Sequence, residues 1–278
     1  MNIAIVGLGV IGGSFAMGLQ AAGYKNVYGI DVNEATLLTA EKKGMIKKGF
    51  LDAKDILQGM DVIMLSLYPS QIAPFVEQYK NDLKDGVILT DVTGVKTAII
   101  KQVAEILPAT ADFVFAHPMR GSEKKGIDGA DHTRFIGANA LLTPIPANKE
   151  ASLKIIEKLY KEIGFTQVTR VTPEKHDEQI AYVSQLMHAL SVAVVNSTQA
   201  SEETLTFAGN SFQELTRIAD INAELWSELF LNNRTALLES IEQFEVELNA
   251  LKHTLEENDE EELKIIFSRA TRKRREWY

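Results

Sequence analysis

At 278 residues the chain is long enough for one large or two ordinary domains, and with 45% apolar residues it can build a substantial core. The absence of cysteine excludes disulfides, a thiolate nucleophile and cysteine-ligated metal sites, and a net charge of −9 argues against nucleic acid as a main partner. No segment approaches the ~20 uncharged apolar residues of a membrane span and no basic leader precedes the first apolar run, so the sequence reads as cytoplasmic with no membrane partner.

The first element is the most informative. The apolar run Ile3–Val6 breaks into Gly7-Leu8-Gly9-Val10-Ile11-Gly12-Gly13-Ser14, and a second apolar run ends at Asp31. Gly7 permits a tight strand-to-helix turn, Gly9 lets backbone approach a pyrophosphate, and Gly12 lets the helix pack on the strand. Asp31 falls where an acid accepts the ribose hydroxyls of NAD and repels the 2′-phosphate of NADP. Through about residue 170, further β-rich runs at Val27–Ile30, Val62–Ser66, Val87–Leu89, Phe113–Phe115, Ala140–Leu142 and Gln167–Val171 alternate with helix-period segments. This alternation predicts a Rossmann-type α/β domain with a mostly parallel, doubly wound sheet over residues 1–172. Ser66, closing its run, belongs with the cofactor-binding turn. Thr90-Asp91-Val92-Thr93-Gly94-Val95-Lys96 and His117-Pro118-Met119-Arg120-Gly121-Ser122-Glu123 each follow an apolar run, which puts both on the edge of the sheet where ligands bind.

Thr172-Pro173-Glu174 reads as an N-cap, a proline in the first turn and a helix-opening acid. From there to residue 278 the apolar positions keep a helical period, as in Leu237, Leu238, Ile241, Phe244 and Leu248, and no strand is predicted. The charge changes with the pattern. Residues 1–172 carry 19 Lys and Arg against 18 Asp and Glu, and the remainder 10 against 20. On the helix that opens this all-α domain, Ser184 and His188 share a face while His176 lies on another, and Leu186, Met187 and Leu190 read as core. No pair of histidines has metal-ligand spacing, so no metal is expected. The acidic run Glu256–Glu262 and the basic Arg272–Arg275 read as solvated helix ends that suit the dipole.

Taken in order, the turn Gly7–Ser14, Thr90–Lys96, His117–Glu123, His176-Asp177 with Ser184-x-Leu-x-His188, and Phe212 with Leu215-Thr216-Arg217-Ile218-Ala219 resemble prephenate and arogenate dehydrogenases of tyrosine biosynthesis. The resemblance spans nearly the whole chain, weakening only after about residue 235. It implies an NAD-binding domain joined to a helical domain that forms a homodimer, with the active site between them. The implied reaction is an oxidative decarboxylation of prephenate, or of arogenate. By position, His117 accepts the hydrogen bond of the ring hydroxyl and promotes its deprotonation, Arg217 clamps a substrate carboxylate, Ser184 and His188 line the pocket, and Glu123 helps close its entrance.

The chain departs from that pattern at three points. Gly94 replaces the serine expected beside the catalytic histidine, leaving Thr93 as the nearest hydroxyl. Gln185 replaces a histidine on the helix. Arg120 replaces a small residue and adds a cation that could meet a substrate carboxylate. A β-hydroxyacid dehydrogenase shares this domain plan, but that chemistry calls for a lysine on the first helix of the second domain, and none lies between Asp177 and Asn196. A regulator that binds NAD without turnover would need neither His117 nor Arg217.

Overall fold

The computed structural model describes residues 1–121, 124–197 and 202–277, with the backbone alone at Glu202 and Thr204. Glu123 lies outside the described residues. In the first part the chain runs β1 (Ile3–Val6), α1 (Val10–Ala21), β2 (Val27–Ile30), α2 (Glu34–Lys42), β3 (Lys48–Phe50), β4 (Val62–Leu65), α3 (Pro69–Tyr79), β5 (Ile88–Asp91), α4 (Thr97–Ala104) and β6 (Asp112–Val114). These strands form one parallel sheet in the order β3-β2-β1-β4-β5-β6, with Ile3 in register with Val27 on one side and Val62 on the other. Every residue of β1, β4 and β5 is buried, as expected of central strands covered by helices on both faces. One face packs the aromatic group Phe15, Phe135, Tyr160 and Phe165; the other packs Leu65, Ile72, Leu89, Phe113 and Phe115.

The expected strands Ala140–Leu142 and Gln167–Val171 exist but leave the main sheet. They are β8 (Asn139–Leu142) and β9 (Gln167–Arg170), separated by α5 (Glu150–Glu162), and with β7 (Ala116–Pro118) they make a second, three-stranded sheet in the order β7-β8-β9. β7 pairs antiparallel to β8, with His117 opposite Leu141. As an edge strand β7 tolerates Pro118, which has no N–H to donate. Only Phe115 separates β6 from β7, so the chain turns out of the parallel sheet and delivers His117 to its carboxyl edge.

Thr172 caps the next helix by accepting from the Lys175 N–H at 3.2 Å, with Pro173 in the first turn. α6 (Pro173–Ile180) and α7 (Leu186–Asn196) are joined by a π-helical turn, Ala181–Gln185. There follow α8 (Glu202–Leu205), α9 (Asn210–Thr216), a 3₁₀ turn at Arg217–Ala219, α10 (Ala223–Asn232), α11 (Arg234–Glu256) and α12 (Glu260–Trp277). Among the described residues this half holds no strand, and no helix is long and apolar enough to cross a membrane. α12 has Glu260–Glu262 in its first turn and Arg274 and Arg275 in its last, each sign at the end of the dipole it favours. Leu186 is buried, whereas Met187, expected in the core, is 38% exposed because the face it occupies has no cover within one chain.

Candidate active site

The glycine turn has the geometry a dinucleotide needs. Gly7 has a φ of +86°, and a Cβ there would lie 2.3 Å from the Ser66 carbonyl oxygen. A Cβ at Gly12 would lie 1.9 Å from the Gly7 oxygen, while one at Gly9 would meet nothing within 4 Å. Two glycines are therefore required by packing, and the third faces open space where a ligand backbone can approach. α1 has no side-chain N-cap, so its first-turn N–H groups are left to an anionic group such as a pyrophosphate. Ser66 walls the turn through its backbone. Asp31 has a second duty that its position did not announce: its Oδ2 accepts from the Leu8 N–H at 2.8 Å and its Oδ1 from the Asn33 N–H at 2.9 Å. Each oxygen keeps a lone pair for a ribose hydroxyl. These residues fit NAD.

At the next crevice along the same edge, His117 Nδ1 lies 2.9 Å from His176 Nε2, and His176 Nδ1 lies 2.8 Å from Asp177 Oδ1. Asp177 also accepts the N–H groups of Lys96 at 2.9 Å and Thr97 at 2.8 Å. Burial pushes its carboxyl up, but the hydrogen bonds from His176 and Thr97 offset this and hold it below 3.8. An ionised carboxylate only accepts, so His176 carries its proton on Nδ1 and offers the Nε2 lone pair to His117. His117 in turn carries its proton on Nδ1. Its bare lone pair is then on Nε2, which has no protein partner among the described residues and faces Gly94, where a Cβ would stand 3.7 Å away. Burial drives the His117 pKa well below 6.5, helped by His176 and the Lys96 ammonium. His176 is lowered too, chiefly by burial, so both rings are neutral at pH 7.

Beneath this relay sits a buried ion pair. Lys96 and Asp91 are both fully buried and in contact. Asp91 Oδ1 accepts from the Ala116 N–H at 3.0 Å, fixing the residue before His117, and its Oδ2 accepts from the Thr93 N–H at 3.0 Å and from the Thr93 hydroxyl. Burial lowers the Lys96 pKa while Asp91 opposes it. The expectation that Thr93 supplies a hydroxyl beside His117 is therefore corrected. Its side chain is buried and committed to Asp91, with Lys96 donating to it at 3.1 Å, so its hydroxyl is held in the core by that pair. The position that faces His117 is Gly94.

The helical half supplies the opposite wall. The carbonyl of Ser184, in the π turn, accepts from His188 Nδ1 at 2.9 Å, which leaves Nε2 as the free lone pair of His188. Burial lowers the pKa of His188. Its ring stacks on Trp226 of α10 with centroids 3.7 Å apart. Gln185 is buried and structural: it donates to the Leu229 carbonyl at 3.0 Å and accepts from Asn233 at 2.8 Å. Arg217 is exposed on its 3₁₀ turn, and Ser191 of α7 donates to the carbonyl of Leu215, in α9, which precedes that turn, at 2.9 Å. Arg120 is exposed just past β7.

Sequence reasoning placed His176-Asp177 and the Asp91–Lys96 segment in motifs but gave them no role in the site, and it missed Trp226. The available signals were His176-Asp177 side by side in the first turns of a capped helix, and an acid and a lysine five apart around the ligand edge.

The sequence matches two family profiles, "Prephenate dehydrogenase, nucleotide-binding domain" over residues 15–169 and "Prephenate dehydrogenase, dimerization domain" over residues 172–269. A prephenate dehydrogenase of Bacillus subtilis (strain 168) is 26% identical over 277 residues, covering 97% of this chain and 74% of that one. The fold is similar to the crystal structure of an A. aeolicus prephenate dehydrogenase in complex with hydroxyphenyl propionate and NAD⁺, with a TM-score of 0.91 at 30% identity, covering 100% of this chain and 98% of the other. It is similar also to a Synechocystis arogenate dehydrogenase, with a TM-score of 0.84 at 26% identity and all of both chains covered. With both halves of the chain matched in order, and the nucleotide turn and histidine relay in place, the chain belongs to the prephenate dehydrogenase family.

Proposed function

We propose that this chain catalyses the NAD⁺-dependent oxidative decarboxylation of prephenate to 4-hydroxyphenylpyruvate, as a cytoplasmic homodimer whose halves divide at Thr172. The observation that carries the reading is the Nε2 of His117, without a partner among the described residues, neutral and oriented by His176 and Asp177 at the carboxyl edge of the sheet. Bound NAD⁺ supplies the acceptor for the ring hydride. His117 Nε2 takes the proton of the ring hydroxyl as that carbon gives up hydride, and an imidazole kept neutral at pH 7 is ready to do so. The bond to the ring carboxylate then breaks, CO₂ departs, its electron pair completes the aromatic ring, and the ring oxygen takes back the proton held on His117 Nε2. Arg217 clamps a substrate carboxylate with its planar fork. Ser184 and His188 line the ring pocket, with Trp226 fixing the plane of His188. By the resemblance Glu123 helps close the entrance and Arg120 offers a cation to a substrate carboxylate, while Gly7, Gly9, Gly12, Asp31 and Ser66 hold the cofactor.

Likeness to an arogenate dehydrogenase supports a second reading in which arogenate is the preferred substrate, since the two share the reacting ring. NADH formation from prephenate and from arogenate at equal concentration decides between them. Faster turnover of prephenate is the expected result, and no NADH from either overturns the proposal. The dimer is supported by the match to a dimerization domain and by the exposed Leu238, Leu248, Ile265 and Phe267 on α11 and α12. Sedimentation of a fully active species at 30.8 kDa would exclude it.

A further inference from the structure

One helix of the second half touches both walls of the site, at Ser70 and at His188, and none of the reactions above uses its polar contacts. Asn222, the N-cap of α10, accepts from the Leu225 N–H at 3.3 Å and donates to the Tyr68 hydroxyl at 2.9 Å. Two turns on, the Glu228 carboxylate receives the Ser70 N–H at 2.9 Å and the Ser70 hydroxyl at 2.8 Å. Ser70 is in the first turn of α3, so Glu228 satisfies an orphan N–H of a helix in the other half and places its charge at the positive end of that helix. Tyr68 and Ser70 flank Pro69 at the end of the loop whose Ser66 and Leu67 wall the glycine turn, within 3.3 Å of a Cβ at Gly7. From the same helix Trp226 stacks on His188, the Leu229 carbonyl holds Gln185, and a Leu229 methyl lies 3.4 Å from a Cβ at Gly94, beside His117.

We propose that Tyr68–Asn222 and Ser70–Glu228 form a latch through which α10 couples seating of the dinucleotide to the geometry of the ring pocket. Tyr68 and Glu228 are positioning residues in it. The latch rests on the reading that the glycine turn holds NAD. A ligand pressing on the loop Ser66–Ser70 presses through three directional hydrogen bonds on the helix that carries Trp226, and a loop already fixed in its bound position costs less to order on binding.

Trp226 reports on this directly. The other tryptophan, Trp277, is 60% exposed near the end of α12, and Trp277→Phe leaves Trp226 as the sole emitter. In that background NAD⁺, added without ring substrate, is expected to change the emission as calorimetry records its binding. Adding Tyr68→Phe and Glu228→Ala, with Asn222 kept as cap, is expected to cut the emission change at least threefold and weaken NAD⁺ binding about threefold to tenfold, the scale of losing hydrogen bonds to a partly solvated carboxylate. Glu228→Gln, which keeps an acceptor for the Ser70 N–H, is expected to recover part of both and guards against a folding artefact. Calorimetric binding with no change in Trp226 emission, or a double variant with an unchanged emission response or an unchanged Kd, overturns the latch. Absence of NAD⁺ binding in the Trp277→Phe parent instead overturns the functional reading on which the latch rests.

Discussion

The two halves of this chain solve the burial problem differently. The nucleotide-binding half closes both faces of its sheet, and among the described residues all but five of the buried apolar side chains belong to it, the exceptions being Ile180, Ala181, Leu186, Leu229 and Leu237. The helical half has the opposite balance. Of the large apolar side chains exposed among the described residues, sixteen lie after residue 172 against six before it, and α12 buries none of its residues. A helix with Ile265 and Phe267 in water has an incomplete environment, and a second copy of the same half is the cover that the dimerization-domain match names. The first half thus holds its chemistry in a finished core. The second presents Ser184, His188 and Trp226 beside helices with many exposed apolar side chains.

The comparison is tested hardest at His117, which β7 of the first half carries and His176 of the second orients. His117→Asn is expected to lower kcat by roughly 10²–10⁴-fold, with NAD⁺ affinity by calorimetry and sedimentation unchanged. A variant that keeps full turnover would show that the base lies elsewhere. Next is the buried pair beneath it. Lys96→Met leaves Asp91 charged and unpaired in the core, which costs about 3–5 kcal/mol, read as a loss of unfolding free energy in urea. Asp91→Asn together with Lys96→Met is expected to cost less than Lys96→Met alone, since no uncompensated charge remains, and a larger cost would mean that Asp91 is held mainly by the Ala116 and Thr93 N–H groups.

A smaller effect is expected at His176, where the halves meet. His176→Phe removes the acceptor that keeps the His117 proton on Nδ1, so that some of the population carries it on Nε2, and kcat is expected to fall roughly tenfold. The relay also sets the pH dependence. Both histidines have folded-state pKa values depressed below 6.5, so the unfolded chain binds more protons wherever the pH lies between the two values. Their stabilising contribution is fully present above 6.5 and is lost as pH falls through and below it. The acid limb of kcat/KM is therefore expected on the acid side of 6.5, and a limb at or above 6.5 would show that His117 is not the titrating base.

How far the sequence could be read follows the same division. The glycine turn and Asp31 lie within one strand–helix–strand unit, so their residue types and spacing carried the geometry, apart from the bond from Leu8 to Asp31. Thr172 and Pro173 gave the helix start for the same local reason. β3 and β7 were not predicted because Lys48-Gly49-Phe50 and Ala116-His117-Pro118 are too short to show a period. The π turn at Ala181–Gln185 left no mark on a helical pattern, although it is where Ser184 sits. His176 could not be paired with His117 from sequence, since 59 residues separate them and their contact exists only once α6 packs against the sheet edge.

The smallest expected effect is at Gly94, one of the positions where the resemblance led to the expectation of a different side chain. A Cβ at Gly94 would lie 3.4 Å from a Leu229 methyl and 3.7 Å from His117 Nε2, both ordinary van der Waals separations, so a small side chain can begin there without a backbone clash. A serine hydroxyl would stand next to the His117 lone pair, where Thr93 cannot reach because its own hydroxyl is held by Asp91. Gly94→Ser is expected to leave the unfolding free energy within about 0.5 kcal/mol and to change kcat only severalfold, upward if the hydroxyl helps to orient the substrate's proton toward Nε2 and downward if it occupies Nε2 as a donor. The pH profile separates the two outcomes. Orientation leaves the acid limb in place, whereas a hydrogen bond to the neutral ring disfavours protonation and moves the limb to lower pH. A branched residue tests the packing claim in the same position. Gly94→Val adds two methyl groups against Leu229 and Nε2, and should push α10 off the cleft, reducing both turnover and the stacking of Trp226 on His188. If Gly94→Val were as active and as stable as the parent, α10 would not be seated against His117 in solution, and the finished half would not be bracing the helical half as its contacts imply.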